Sequence, residues 1–285
     1  MFYTNVARYS NYILYRGYDD LGKKVFKKEK FKPKFFVPSK TETGWRGLDG
    51  NHIGEVDFDS MREARDWLEQ YQHVTGFQVY GTNNYLHQYV TRKFPKDIRF
   101  DRDKINVTTI DIETEYEGGF PKVAVADQKV LAITIKNNID GVYHVWGLQD
   151  YDTEKALIKP VNYVKCESEP ELLARFVNHW RQEENLPDVI TGWNVRFFDI
   201  PYLVNRVNRI CGVDMVRQFS PWGLIDQRKI RRLNKEEMTY DIKGIQTMDY
   251  LELFQKFGYS YGKQESYKLD HIGHVVLGEK KLCLL

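Results

Sequence analysis

Asn106-Val-Thr-Thr-Ile-Asp-Ile-Glu113 is a run of β-branched residues closed by two acids. β-Branched side chains favour a pleated, buried strand. Successive side chains of a strand point to opposite faces, so Asp111 and Glu113 share one side while Ile112 faces a core. Two carboxylates side by side at a strand end repel each other unless a cation holds them, and magnesium prefers oxygen ligands. A polar strand end facing water produces the same tripeptide, so the pair alone leaves both readings open.

Downstream of this strand, Val130–Ile135 and Val142–Trp146 read as its antiparallel neighbours. Ser168-Glu-Pro-Glu171 has the form of a capping box, with Pro170 tolerated in a first helical turn. The helix it opens buries Leu172, Leu173, Phe176, Val177 and Trp180. Asp188-Val-Ile-Thr191 is a short strand, followed by a helix opened by Pro201 with Leu203, Val204, Val207 and Ile210 inward. A strand near Ile245–Met248 leads into a helix over Leu251–Phe257. Three strands, helix, strand, helix and then more of both predict an α/β (α+β) domain: a mixed sheet covered by helices, in an RNase H-like arrangement.

Upstream, the first hundred residues read as short strands and turns with one clear helix. Ser60 and Glu63 form a capping box, and Met61, Ala64, Trp67, Leu68 and Tyr71 recur at helical spacing. Residues 41–55, with glycines at 44, 47, 50 and 54, read as a loop. The pattern changes near Asp101–Lys104, which predicts a smaller β-rich domain over 1–103 and the α/β domain over 104–285.

Composition fits a folded protein: 42% of the 285 residues are hydrophobic and 14% aromatic. No apolar run approaches the roughly 20 residues of a membrane helix, and Met1-Phe-Tyr-Thr4 does not begin a signal peptide, so a cytoplasmic protein without a membrane partner is expected. Cys166, Cys211 and Cys283 are widely spaced and suit a reducing compartment. The net charge of +2 does not announce nucleic acid, but two basic clusters stand out. Lys23–Lys34 holds seven lysines against the single acid Glu29 and reads as a solvated surface. Arg228, Lys229, Arg231, Arg232 and Lys235 form an acid-free run, which is either a solvated face or a phosphate contact.

A second element that can carry chemistry is Thr191-Gly-Trp-Asn194-Val-Arg-Phe-Phe198-Asp199-Ile-Pro201-Tyr202. A strand ends in a glycine turn, an amide follows, and an acid precedes a helix. The commonest reason for an Asp there is to cap the helix. Both this element and the Asp111–Glu113 pair lie at strand ends of one α/β domain, where ligand sites gather.

Asp-Ile-Glu, followed about eighty residues later by Thr-Gly-Trp-Asn-x-x-x-Phe-Asp-x-Pro-Tyr, resembles the first two exonuclease motifs of family B DNA polymerases, above all the T-even-type phage branch. The resemblance runs from the Ser60–Tyr71 helix through Met248-Asp-Tyr-Leu-Glu-Leu-Phe-Gln-Lys-Phe257. It implies 3′→5′ proofreading of single-stranded DNA ends during replication. Two divalent ions, Mg²⁺ or Mn²⁺, would be ligated by Asp111, Glu113 and Asp199 and lie roughly 3.5–4 Å apart. It further implies that Asp111 bridges the ions, Glu113 orients the attacking water and Asp199 holds the second ion. Asn194 would hydrogen-bond and Phe198 stack on the terminal nucleotides, with packing beneath the helix as the alternative for Phe198. Ile225–Tyr240, turning near Asn234-Lys235, resembles the hairpin that parts primer from template, where the run Arg228–Lys235 would touch displaced phosphates.

The family also uses a fourth acid in a Tyr-x-x-x-Asp motif. Tyr15…Asp19 is the sole pair at that spacing and lies upstream of everything else, and Tyr267…Asp270 is one residue short. The expectation is therefore a chain that stops before the third exonuclease motif and the polymerase domain, as a truncated reading frame, half of a split polymerase or a fragment, and whose apolar tail Leu282–Leu285 is buried by a missing or separately encoded polymerase portion. Three functions follow in order: a proofreading exonuclease completed by that portion; a non-catalytic nucleic-acid-binding or assembly fragment of a split polymerase; or an unrelated metal-dependent nuclease drawing its last ligand from Glu265, Asp270, His271 or His274.

Overall fold

The computed structural model describes residues 1–232 and 235–280, with the main chain alone at 232 and 235. The turn at Asn234 and the tail Leu282–Leu285 with Cys283 lie outside the described residues. The chain divides into two units, Met1–Arg102 and Asp103–Leu285.

In the first unit β1 (Phe2–Tyr9), β2 (Tyr12–Tyr18) and β3 (Lys24–Lys30) form an antiparallel sheet in that order. A second sheet joins β4 (Lys34–Pro38), β5 (Trp45–Arg46) and β6 (His52–Asp57), with β6 central. Two helices, α1 (Met61–Tyr71) and α2 (Tyr85–Lys93), complete the unit. Ile13 and Tyr15, two apart on β2, face a core of Phe31, Phe35, Phe58, Met61, Ala64, Tyr85 and Tyr89.

The one-helix expectation for this unit is corrected by α2. Asn84 accepts from Leu86 N and His87 N, and Tyr85 and Tyr89, one turn apart, are both buried. The loop expected over 41–55 is partly a hairpin, with Trp45 opposite Ile53 and Arg46 opposite His52. Trp45 is held edge-on against Phe36 at 5.4 Å, which anchors so short a strand. At the head of α1, Ser60 Oγ accepts from Glu63 N, while Glu63 reaches back to Asp59 N.

In the second unit β7 (Val107–Thr114), β8 (Val130–Asn137), β9 (Tyr143–Gly147) and β10 (Val161–Lys165) precede α3 (Glu169–Trp180). Then come β11 (Val189–Gly192), α4 (Asp199–Cys211), α5 (Val213–Arg217), β12 (Ile225–Arg232), β13 (Lys235–Ile242), β14 (Gln246–Asp249), α6 (Tyr250–Phe257) and α7 (Leu269–Leu277). The main sheet runs β10-β9-β8-β7-β11-β14. β7, β8 and β9 pair antiparallel, whereas β10 joins β9, and β11 joins β7 and β14, in parallel. This is the expected mixed sheet, with β10 as an additional strand. α3 lies against β8 and β9, and α4 against β7. No helix among the described residues is long and apolar enough to cross a membrane.

A buried ion pair ties α4 to α3. Arg206 and Glu169, 5% and 7% exposed, bond through both guanidinium and both carboxylate ends at 2.7 and 2.6 Å. Arg206 also donates to the carbonyls of Ala126 and Asp127, and Glu169 accepts from Val130 N. Each guanidinium nitrogen and each carboxylate oxygen thus has at least one partner, the condition for tolerating buried charge. The inward position expected for Ile210 is corrected by the same face of α4: Ile210 is exposed, and Arg206 one turn earlier is buried. At α3 the expected Ser168 cap forms no side-chain bond, and Glu171 accepts from Glu167 N instead.

Candidate active site

β7 outruns its parallel neighbour. β11 pairs with it only as far as Thr191 opposite Thr109, so the last residues of β7 have no strand on that side. Gly192 permits the close approach there: a Cβ on it would stand 2.7 Å from the Ile110 carbonyl oxygen. Beyond the ladder Asp199 takes over the strand edge, its Oδ1 accepting the Ile112 N–H at 3.2 Å. Asp111 and Glu113 lie on the exposed face of β7, and Ile110 and Ile112 are buried on the other. All three acids therefore lie at the end of β7, Asp199 against its edge.

Asp199 is not the cap of α4. Phe198 occupies the N-cap position and Asp199 is the first helical residue, 3% exposed. Burial pushes its carboxyl up to about 7, the charge of Asp111 adds to this, and Asp249 contributes further, against the lowering effect of the Ile112 N–H. A buried acid whose ionisation is opposed by a neighbouring acid is a site where a cation would be stabilising.

Asp249, at the end of β14, is a residue that sequence reasoning did not single out. It is 2% exposed and accepts three main-chain N–H groups: Asn194 at 3.0 Å, Arg196 at 2.9 Å and Leu251 at 2.9 Å. The Leu251 bond caps α6, and the other two clamp the loop that follows β11. Asn194 is thereby held at φ 64°, a left-handed conformation that Asn accepts more readily than most residues. An Asp immediately before an amphipathic helix was the available signal.

Phe198 is half-buried and not packed wholly beneath the helix. Its ring lies 5.7 Å from Tyr202 and 5.0 Å from Phe120. Phe120, on the loop after β7, is 71% exposed. It too was missed by sequence reasoning, because an aromatic in a glycine-rich loop carries no periodic signal.

β12 and β13 form an antiparallel hairpin, with Ile225 opposite Ile242 and Arg232 opposite Lys235. β13 fastens it to the site's surroundings: Thr239 Oγ1 donates to Arg196 O at 3.1 Å, and the Tyr240 hydroxyl bonds Asn205 on α4. Arg228 pairs with Asp241 at 2.7 Å and Lys229 with Glu236 at 3.6 Å, while Arg231 is exposed. The side chains of Arg232 and Lys235 lie outside the described residues.

Among the described residues no three His, Cys, Asp or Glu side chains are gathered closely enough to hold a metal ion. This applies to Asp111, Glu113 and Asp199 and equally to Glu265, Asp270, His271 and His274. The donor set on β7 and α4 is nonetheless all hard oxygen, the chemistry that Mg²⁺ and Mn²⁺ select.

The mixed sheet thus carries two acids at the end of a central strand, a third acid on the adjoining helix, and the half-buried Phe198 next to that third acid. Comparison with known proteins is more specific. Residues 73–272, well over half of the chain, match the exonuclease domain of DNA polymerase family B, and the chain belongs to that family. It is 28% identical to the DNA-directed DNA polymerase of Enterobacteria phage T4 over 91% of this chain and 31% of that protein. It is likewise 28% identical to the DNA-directed DNA polymerase of Escherichia phage RB69, over 99% of this chain and 33% of that protein. A DNA polymerase catalytic subunit of Psittacid herpesvirus 1 is 30% identical over 42% of this chain and 11% of its own length. The chain thus spans about a third of the length of its phage relatives.

Proposed function

We propose that this chain is the N-terminal and proofreading-exonuclease part of a phage-type DNA polymerase, acting on the 3′ end of single-stranded DNA. Residues 1–103 would be the N-terminal domain and 104–285 an RNase H-like exonuclease domain. The observation that carries the reading is Asp199, buried against the edge of β7 with its ionisation opposed by Asp111. Asp111, Glu113 and Asp199 would hold two divalent ions, Mg²⁺ or Mn²⁺. When bound, such ions generate a nucleophilic water near neutral pH and stabilise the leaving 3′-oxygen.

The chain's own residues would do the rest. Glu113, on the solvent side of β7, would orient the water. Asn194 would hydrogen-bond the terminal nucleotide, its main chain fixed by Asp249. Phe198 and Phe120 would form an aromatic platform for unpaired bases, because stacking holds any base regardless of sequence. The hairpin would part the primer end from its template, with Arg228, Lys229, Arg231, Arg232 and Lys235 as its basic surface. A polymerase portion would work beside this chain, in the cytoplasm of the host if phage-encoded.

The test is digestion of 3′-labelled single-stranded DNA with Mg²⁺ or Mn²⁺, with Asp111→Ala in parallel. Loss of 3′ nucleotides with the parent chain and not with Asp111→Ala supports the reading. A second reading, a nucleic-acid-binding fragment without turnover, is favoured by the absence of a closed carboxylate cage among the described residues. It predicts no cleavage by either chain while labelled DNA is still retained, in a salt-dependent manner.

A further inference from the structure

The first unit carries a cationic cluster that no single stretch of sequence announces. Arg8 at the end of β1, and Arg62 and Arg65 in the first two turns of α1, line a half-open cavity of about 330 Å³ with Ser10, Asn11 and Met61. No carboxylate among the described residues lines it. Arg8 makes no ion pair among the described residues, and its guanidinium lies 5.9 Å from the centroid of the Tyr85 ring, which steadies it. Asn11 Oδ1 accepts the Arg62 N–H at 3.0 Å, which joins the β1–β2 turn to α1 and leaves the Asn11 amide donors available.

The arginines' existing partners are weak competitors. Arg62 reaches Asp66 at 3.7 Å, and Arg65 reaches Asp66 at 2.9 Å and Glu69 at 3.7 Å, all with exposed side chains. Exposed pairs of this kind stabilise by about 0–1 kcal/mol. A phosphate offers guanidinium groups bidentate, charge-assisted bonds that are considerably stronger. The lysine-rich segment is different. Lys32 is paired with Asp59 and Lys34 with Glu55, and Lys28 lies over the rings of Tyr9 and Tyr12.

We propose that Arg8, Arg62 and Arg65 form a phosphate-binding site that takes a phosphodiester of a single nucleic-acid strand. The shared ligand chemistry is a phosphate. The strand is favoured as its source because the cavity is half open and ringed by long side chains, which suits a group projecting from a chain. A small molecule would need to be enclosed on most sides. The site uses no carboxylate and is independent of the function proposed for Asp111, Glu113 and Asp199.

The experiment uses the full chain carrying Asp111→Ala, in EDTA, so that the carboxylate site contributes neither metal binding nor turnover. Binding of a fluorescent oligothymidylate and of its abasic counterpart is followed by anisotropy across a salt series. A thermal-shift assay with inorganic phosphate runs alongside. Arg8→Gln/Arg62→Gln/Arg65→Gln is expected to weaken both oligonucleotides about tenfold. It should flatten the slope of log K against log salt by roughly 0.7, the value for one single-strand phosphate contact. Lys27→Gln/Lys28→Gln/Lys30→Gln removes the same charge and is expected to change little. Equal losses in the two triple variants would overturn the site as a non-specific charge effect. Unchanged affinity and slope in the arginine variant would overturn it outright. Protection by inorganic phosphate that the arginine variant abolishes, with oligonucleotide binding intact, would overturn the strand as the ligand and assign a small phosphate.

Discussion

Asp199 and Asp249 are two buried acids of one unit, 3% and 2% exposed, whose surroundings differ. Asp249 accepts three main-chain N–H groups, from Asn194, Arg196 and Leu251. Asp199 accepts one from another element, that of Ile112, and faces the charge of Asp111. Hydrogen bonds to a carboxylate favour its charged form, whereas burial and like charge oppose it. Asp249 is therefore a fastening, both its oxygens taken up by the main chain around it. Asp199 is poised at a strand edge with its ionisation opposed, and a cation would relieve it.

The largest expected effect is on turnover. With Mg²⁺ present, Asp199→Asn should lower removal of 3′ nucleotides by about a thousandfold or more, since groups in a coupled site act as a unit. Circular dichroism should show the fold retained. Asp249→Asn, which keeps one acceptor oxygen, should lose far less. Comparable losses in the two would erase the distinction.

Next comes stability. Asp249→Ala leaves one buried N–H group, that of Leu251, and two half-buried ones, those of Asn194 and Arg196, without an acceptor, at about 1–3 kcal/mol for a buried group and less for the others. Urea unfolding should therefore show a loss of about 1–3 kcal/mol or more. Asp199→Ala removes an acid that burial already disfavours, and the same measurement should show a smaller loss.

A pH series in metal-free buffer sharpens the contrast. The folded-state pKa of Asp199 is raised from 3.8 to about 7. Between those values the folded chain keeps a proton that the unfolded chain releases. Its contribution is thus complete below about pH 4 and is lost as pH rises through 7. Asp199→Asn should flatten this fall and be more stable than the parent at pH 8, by roughly 1–4 kcal/mol. A parent curve that rises over the same interval by that amount would count against the burial of Asp199.

The smallest effect concerns Asn194. Its φ of 64° is one that Gly adopts freely. Asn194→Gly should change the unfolding free energy in urea by no more than about 1 kcal/mol, yet weaken retention of a single-stranded 3′ end. Unchanged retention would remove the side-chain amide from the substrate contacts.

The comparison also explains what was legible beforehand. β7 and its two acids could be read because alternation along one strand is a local signal, and the same applies to β8, β9 and the face of α3. β10 was not legible: Val161-Asn-Tyr-Val-Lys165 is short, follows a proline, and gains its identity only by pairing in parallel with β9. Arg206 looks like a surface residue until Glu169, from another helix, meets it in the interior. Asp199 read most simply as a helix cap because nothing in sequence places it against Ile112, eighty-seven positions away. Asp249 and Phe120 were missed for the same reason, since their partners come from other elements. Local periodicity thus revealed the sheet and its paired acids, while the long-range bonds that set each acid's role became visible only in the fold.

The most direct test of that assignment of roles is a carboxyl ¹³C NMR titration of Asp199, resolved by its loss in Asp199→Asn, with and without Mg²⁺. The account predicts an inflection near 7 in the metal-free chain, displaced well below the usual carboxylate range when Mg²⁺ is added. An ordinary carboxylate inflection in both conditions would contradict it.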